Sequence, residues 1–210
     1  MKNEEKPDLK DLTMADDSDS FSVKPAEELV PRLCTLLQRG CHVRVRTGCT
    51  LRELLTDNFR ITPDYIKNDI KVLFIDYSPV DDMDTAIIKD GTILALSAAM
   101  PGLVGAAMRR DGLSWMRTGI TYHEEGREHD RHEGVIQVKL FNQVMADLGE
   151  SFLRRGVYVK SASLAHFLGK FSDDFWRKCG VITRNGAAIT ESDLLDCLAS
   201  RDRWIRFAIQ

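Results

Sequence analysis

Apolar and polar positions along this chain follow two rhythms, and the rhythm changes every ten to fifteen residues. Residues 26–39 (AEELVPRLCTLLQR) place Leu29, Leu33, Leu36 and Leu37 on one stripe with Gly40 behind them. That spacing predicts a helix which starts or kinks at Pro31, a residue without a backbone N–H. Cys41, Val43 and Val45 then alternate with His42, Arg44 and Arg46. A period of two predicts a strand, here with one apolar and one cationic face. In TLRELLTDNF (50–59), Thr50 and Glu53 have capping-box spacing, and Leu51, Leu54, Leu55 and Phe59 form the buried stripe of a helix. KVLFIDYSPV (71–80) and TILALSAA (92–99) are predicted strands. The second opens at the Asp90–Gly91 turn and is apolar enough to be central.

Pro101, Gly102 and Gly105 interrupt the pattern. Residues 106–122 are expected to be extended, hairpin-forming chain, and 122–133 (YHEEGREHDRHE) a polar loop at a boundary between halves. Beyond it, VIQVKLF is a predicted strand, and Phe141, Val144, Met145, Leu148, Phe152 and Leu153 have helical spacing ahead of Gly156. A short strand at 157–159, short helices at 163–169 and 172–179, a hairpin turn at Asn185–Gly186 and a helix at 191–199 follow. The closing RWIRFAI puts Ile205, Phe207 and Ile209 on one face. No internal repeat stands out.

With 210 residues, 43% of them hydrophobic, the chain buries a core without help from disulfides or a metal. It has no apolar run of 18 residues, so no spanning helix is expected, and its first residues lack the apolar core of a secretory signal. The five cysteines form no CxxC pair. An odd count without pairing motifs fits free thiols and a cytoplasmic location. The net charge of −3 offers no whole-molecule attraction to nucleic acid or a membrane. The charge is uneven: residues 1–20 hold seven acids and three lysines, which leaves the remainder slightly positive. They are expected to form a disordered acidic tail.

Four groups of residues are candidates for chemistry. His123, His129 and His132 lie among carboxylates and are the residue types that bind a divalent transition metal, although Gly126 and Gly134 oppose a helix that would align them. No other cofactor is expected. Pro101-Gly102-Leu103-Val104-Gly105 follows a strand but lacks phosphate-loop spacing, and is expected as a turn and contact surface, with Pro101, Gly102 and Gly105 facing a partner. Arg44 and Arg46 present cations on a strand face whose default reading is a solvated outer face, with contact to a partner or an anionic ligand as the alternative. The aromatic interleaving of nucleic-acid platforms is missing, so nucleic acid is not expected, and a protein partner is. Cys49 precedes a capped helix, whose N-terminus lowers a thiol pKa.

VRVRTGCTLRELL and IDYSPVDDMDTAIIKDGTILALSAAMPGLVG, within residues 41–105, resemble the β-grasp sulfur carriers, the molybdopterin synthase small subunit and its thiamine-pathway relative. Gly48, Thr50, Leu51, Glu53, Leu54 and Leu55 fit one family word; Lys89, Asp90, Gly91, Ile93, Ala95 and Leu96 fit the other. The resemblance implies an α+β fold: a β-grasp (ubiquitin-like) mixed sheet with a helix packed on it over 21–121, elaborated by a C-terminal α/β half over 134–210. The family's first strand is then supplied either by SFSVK (20–24) or by VIQVKLF. The family's chemistry needs Gly-Gly at a free C-terminus, where the carboxylate becomes a thiocarboxylate. This chain has no Gly-Gly and continues for 114 residues past Leu96. The expected function is therefore binding or scaffolding without sulfur carriage. The alternative is a small metal- or ligand-dependent enzyme with its site between the halves.

Overall fold

The computed structural model describes Leu12 and residues 19–99, 102–110, 120–122 and 130–210. These residues form an α+β structure with ten strands and eight helices. The strands are β1 (Ser20–Pro25), β2 (Cys41–Thr47), β3 (Val72–Ile75), β4 (Ser78–Pro79), β5 (Ile93–Ser97), β6 (His132–Phe141), β7 (Val157–Lys160), β8 (Cys179–Arg184), β9 (Ala187–Ile189) and β10 (Trp204–Ile209). The helices are α1 (Val30–Cys34), α2 (Leu51–Glu53), α3 (Pro63–Asn68), α4 (Gly102–Met108), α5 (Asn142–Arg155), α6 (Ser161–Leu168), α7 (Asp173–Arg177) and α8 (Glu191–Ser200).

Local chemistry sets most of these boundaries. Pro31 lies in the first turn of α1, where its missing N–H costs no hydrogen bond. Thr50 and Glu53 close a full capping box at α2, which continues as a π turn over Leu54–Asn58. Thr190 and Asp193 close another at α8. Residues 106–108 belong to α4 rather than to an extended hairpin, and 111–119, the rest of that expected hairpin, lie outside the described residues. No described helix is long and apolar enough to cross a membrane.

All ten strands join one mixed sheet in the order β4-β3-β5-β6-β2-β7-β10-β1-β8-β9. Of the two segments expected beside β2, VIQVKLF takes the place: β6 pairs antiparallel with β2 and parallel with β5. SFSVK forms β1, parallel to β10 on the far side of the sheet. The expected halves therefore exchange strands, β6 going to the first and β1 to the second.

The sheet has an internal symmetry that the sequence analysis did not find. Counting outward from the β2/β7 seam, β2-β6-β5-β3-β4 pair as antiparallel, parallel, antiparallel, antiparallel. The series β7-β10-β1-β8-β9 repeats that pattern. Each inner strand leads to a pair of helices and then to a two-residue hairpin. Asp76–Tyr77 and Asn185–Gly186 form these hairpins, with positive φ at both residues of each. Gly40 and Gly156 enter the inner strands with φ of 92° and 88°, inside the related words LQRGCHVR (37–44) and LRRGVYVK (153–160).

Seven of the described helices, α1–α3 and α5–α8, pack on one face of the sheet. Cys41, Val43 and Val45 face inward with Ile136, Val138 and Leu140, as do Val157, Val159, Ile205, Phe207 and Ile209. Phe21, Phe175 and Phe207 are fully buried, each stabilising the fold by at most about 1.5–3 kcal/mol. The opposite face carries His42, Arg44, Arg46, Gln137, Lys139, Tyr158, Lys160, Trp204 and Arg206, as the strand registers require. Leu12 lies on it with 0% exposure, packed against Val135, Tyr158 and Trp204.

Candidate functional site at the seam of the sheet

The two half-sheets meet at a single residue pair, His42 and Tyr158. β2 and β7 pair at that one position, and a cleft lies on either side of it. Each cleft combines the Arg-Gly word of one half with the cation that closes the same word in the other half. Arg155, Gly156 and Tyr158 meet Arg44 in the first cleft; Arg39, Gly40 and His42 meet Lys160 in the second.

The first cleft holds about 210 Å³. Arg155 donates to the carbonyls of Asn58 (3.1 Å) and Phe59 (2.8 Å). Arg206 donates to the Arg155 carbonyl at 2.6 Å. Arg44 stacks over the Tyr158 ring at 4.7 Å and donates to the Leu12 carbonyl at 3.4 Å. The cations here bind the protein to itself.

The second cleft holds about 470 Å³. Lys160 Nζ lies 4.6 Å from the Trp204 ring centroid, and His42 meets the same ring edge-on at 4.7 Å. Arg39 lies over Phe167 at 5.3 Å. His42 is only 6% exposed. Burial, and then the Lys160 charge, push its pKa down to about 4, so the imidazole is neutral near pH 7.

A third cleft, about 560 Å³, runs along the free half of β2 and gathers Arg44, Arg46, Cys49, Glu53, Arg131 and His132. The structure thus brings Arg44, Arg46 and His132 together, along with Cys49. The thiol is not activated there. Cys49 is buried, its Sγ donates to the Arg46 carbonyl at 3.0 Å, and burial followed by the Glu53 charge raises its pKa. Glu53 is itself held by the capping box and by Arg131 at 2.7 Å. His132 sits at the start of β6, with Nδ1 2.9 Å from the Asp130 carbonyl. His123 and His129 lie outside the described residues, and no group of three metal-binding side chains occurs among the described ones.

Gly102 and Gly105 are not part of this assembly. Ser97 aligns with Phe141 and Arg46 with Glu133, eight residues apart along β6, or about 26 Å at the rise of a strand. Asn142 binds the Ala99 carbonyl at 2.5 Å, so the chain that leads to Gly102 leaves from the far end. Gly102 is exposed with φ 78°. Gly105 is buried within α4. Pro101 lies outside the described residues. Sequence reasoning missed Arg39, Tyr158, Lys160 and Trp204. The signal was present in RGCHVR (39–44) and RGVYVK (155–160), which align residue for residue.

No family model, curated protein or solved structure matches this chain.

Proposed function

We propose that this chain is a protein-binding module built on a β-grasp-like half-sheet, without sulfur-carrier chemistry. The observation that carries the reading is the order β2-β6-β5-β3-β4, with its single parallel pair between β5 and β6 and the capped α2 on its inner face. That is the pairing expected of a β-grasp sheet when VIQVKLF takes the first-strand slot. The strand that leads to the reactive tail in the carriers corresponds to β5. Here β5 leads into α4 and onward to β6, so no free carboxylate stands at that position. The contact surface is the open face of β2, where Arg44 and Arg46 are exposed. A cytoplasmic setting suits five free cysteines.

The test is cross-linking capture with the full chain and with the double variant Arg44→Glu/Arg46→Glu. A partner held by the wild type and lost by the variant supports the reading; equal capture by both sinks it. Intact mass measured from native cells adds a second check. A species ending at Gly102 or Gly105 would return the chain to the sulfur carriers.

One observation favours a ligand-dependent protein or enzyme instead: the 470 Å³ cleft lies between the half-sheets, where that reading puts its site. Stoichiometric zinc, iron or manganese in purified protein, lost on substitution of His129 and His132, would support its metal-dependent form.

A further inference from the structure

We infer that the larger seam cleft is a binding site for a small anion, a carboxylate or a phosphate monoester, held by Arg39, His42 and Lys160. This inference is independent of any protein partner.

The two clefts occupy matching positions, yet their polar groups are used differently. In the smaller one, Arg155 and Arg206 are engaged by backbone carbonyls. In the larger one, Arg39, His42, Gln137, Lys160, Ser163 and His166 line the space. Among the described residues, none of these six side chains has a hydrogen-bond or ion-pair partner. Arg39, His42 and Lys160 engage only aromatic rings. Among the described residues no carboxylate lines the cleft; Asp202 is instead taken up by the Ala162 N–H at the head of α6 (3.3 Å).

Exposed cations without partners are ordinary, but His42 is not exposed. Its ring lies beside Lys160 in a cleft whose charged lining residues, among the described ones, are all cations. An oxyanion satisfies these groups together. It accepts from the N–H of the neutral His42 ring, pairs with the Lys160 ammonium and is gripped by the Arg39 guanidinium at the mouth. The volume falls within the range of small-ligand sites. The aromatic wall of Trp204 and His42 excludes water from one side of the bound charge and so strengthens the pairing.

The full chain is titrated with sodium phosphate and, separately, with sodium succinate. Ionic strength is held constant with chloride, and the His42 ring protons are followed by NMR alongside calorimetry. Saturable binding of at least one anion is expected, with a shift of the His42 signals. Arg39→Gln and Lys160→Gln should each weaken it tenfold or more. Arg154→Gln, an exposed arginine paired with Glu150, should leave it within twofold. Saturation by phosphate alone assigns the phosphate class; saturation by succinate alone assigns the carboxylate class. Circular dichroism checks that each variant is folded, and Lys160→Gln decides if Arg39→Gln is not. Failure of both anions to saturate, or unchanged affinity in a folded Lys160→Gln, overturns the inference. Binding of residues 2–19 as a free acidic peptide, with neither anion saturating, overturns it in favour of a polypeptide site.

Discussion

His42 makes the fold sensitive to acid. Its ordinary pKa of 6.5 falls to about 4 in the folded chain. Between those values the unfolded state binds a proton that the folded state refuses. Stability therefore falls as pH drops from 6.5 towards 4, by about 3 kcal/mol over the full span. Urea midpoints at pH 4.5 and 6.5 should differ more in the wild type than in His42→Phe. Equal differences would place the acid sensitivity elsewhere. The paired glycines are a second test at this scale. A Cβ on Gly156 would stand 2.5 Å from the Arg206 guanidinium, and one on Gly40 2.8 Å from the Gln137 side chain, both at positive φ. Gly156→Ala and Gly40→Ala should each cost about 1–3 kcal/mol by denaturant titration. Gly156→Ala should cost more, because Arg206 is tied to the Arg155 carbonyl, whereas the Gln137 amide is free to swing away.

At the level of elements, Thr50 holds the start of α2 through its bond to the Glu53 N–H (3.2 Å), while Glu53 returns one to the Thr50 N–H (2.9 Å). Thr50→Ala should destabilise the chain by about 1 kcal/mol, whereas Thr50→Ser should hold within a few tenths; a thermal melt of both variants separates these outcomes. This helix start was readable because a capping box is local. So were the turn at Asn185–Gly186 and the alternation of β2, whose inward residues pack as their period requires. The other hairpin escaped notice because Asp76 and Tyr77 take positive φ without the glycine that signals such a turn. Arg44 and Arg46 were legible as one cationic face, but the depth of His42 was not. It depends on Trp204 and Lys160, which arrive on strands far away in the chain. The repeat was hidden for a related reason. Few side chains are shared between its copies, and what they have in common is mostly backbone path.

The molecule as a whole unfolds as one body if the exchange of strands matters. β6 completes the first half-sheet and β1 the second. A chain cut to residues 19–122 therefore lacks the strand between β2 and β5, and should be unfolded by circular dichroism. In the intact chain, tryptophan fluorescence and far-ultraviolet dichroism should report coincident urea transitions. Two separated transitions would show that the halves stand alone. The parallel pair β1/β10 carries a further consequence for biosynthesis. Ser20 and Arg206 are neighbours 186 residues apart. At about 5–20 residues per second, the ribosome leaves roughly ten to forty seconds between them. β8, the other neighbour of β1, is also translated late. During that interval Phe21 and Val23 have no sheet to enter, so the nascent chain carries an unpaired apolar strand that chaperones must shield until translation is nearly done.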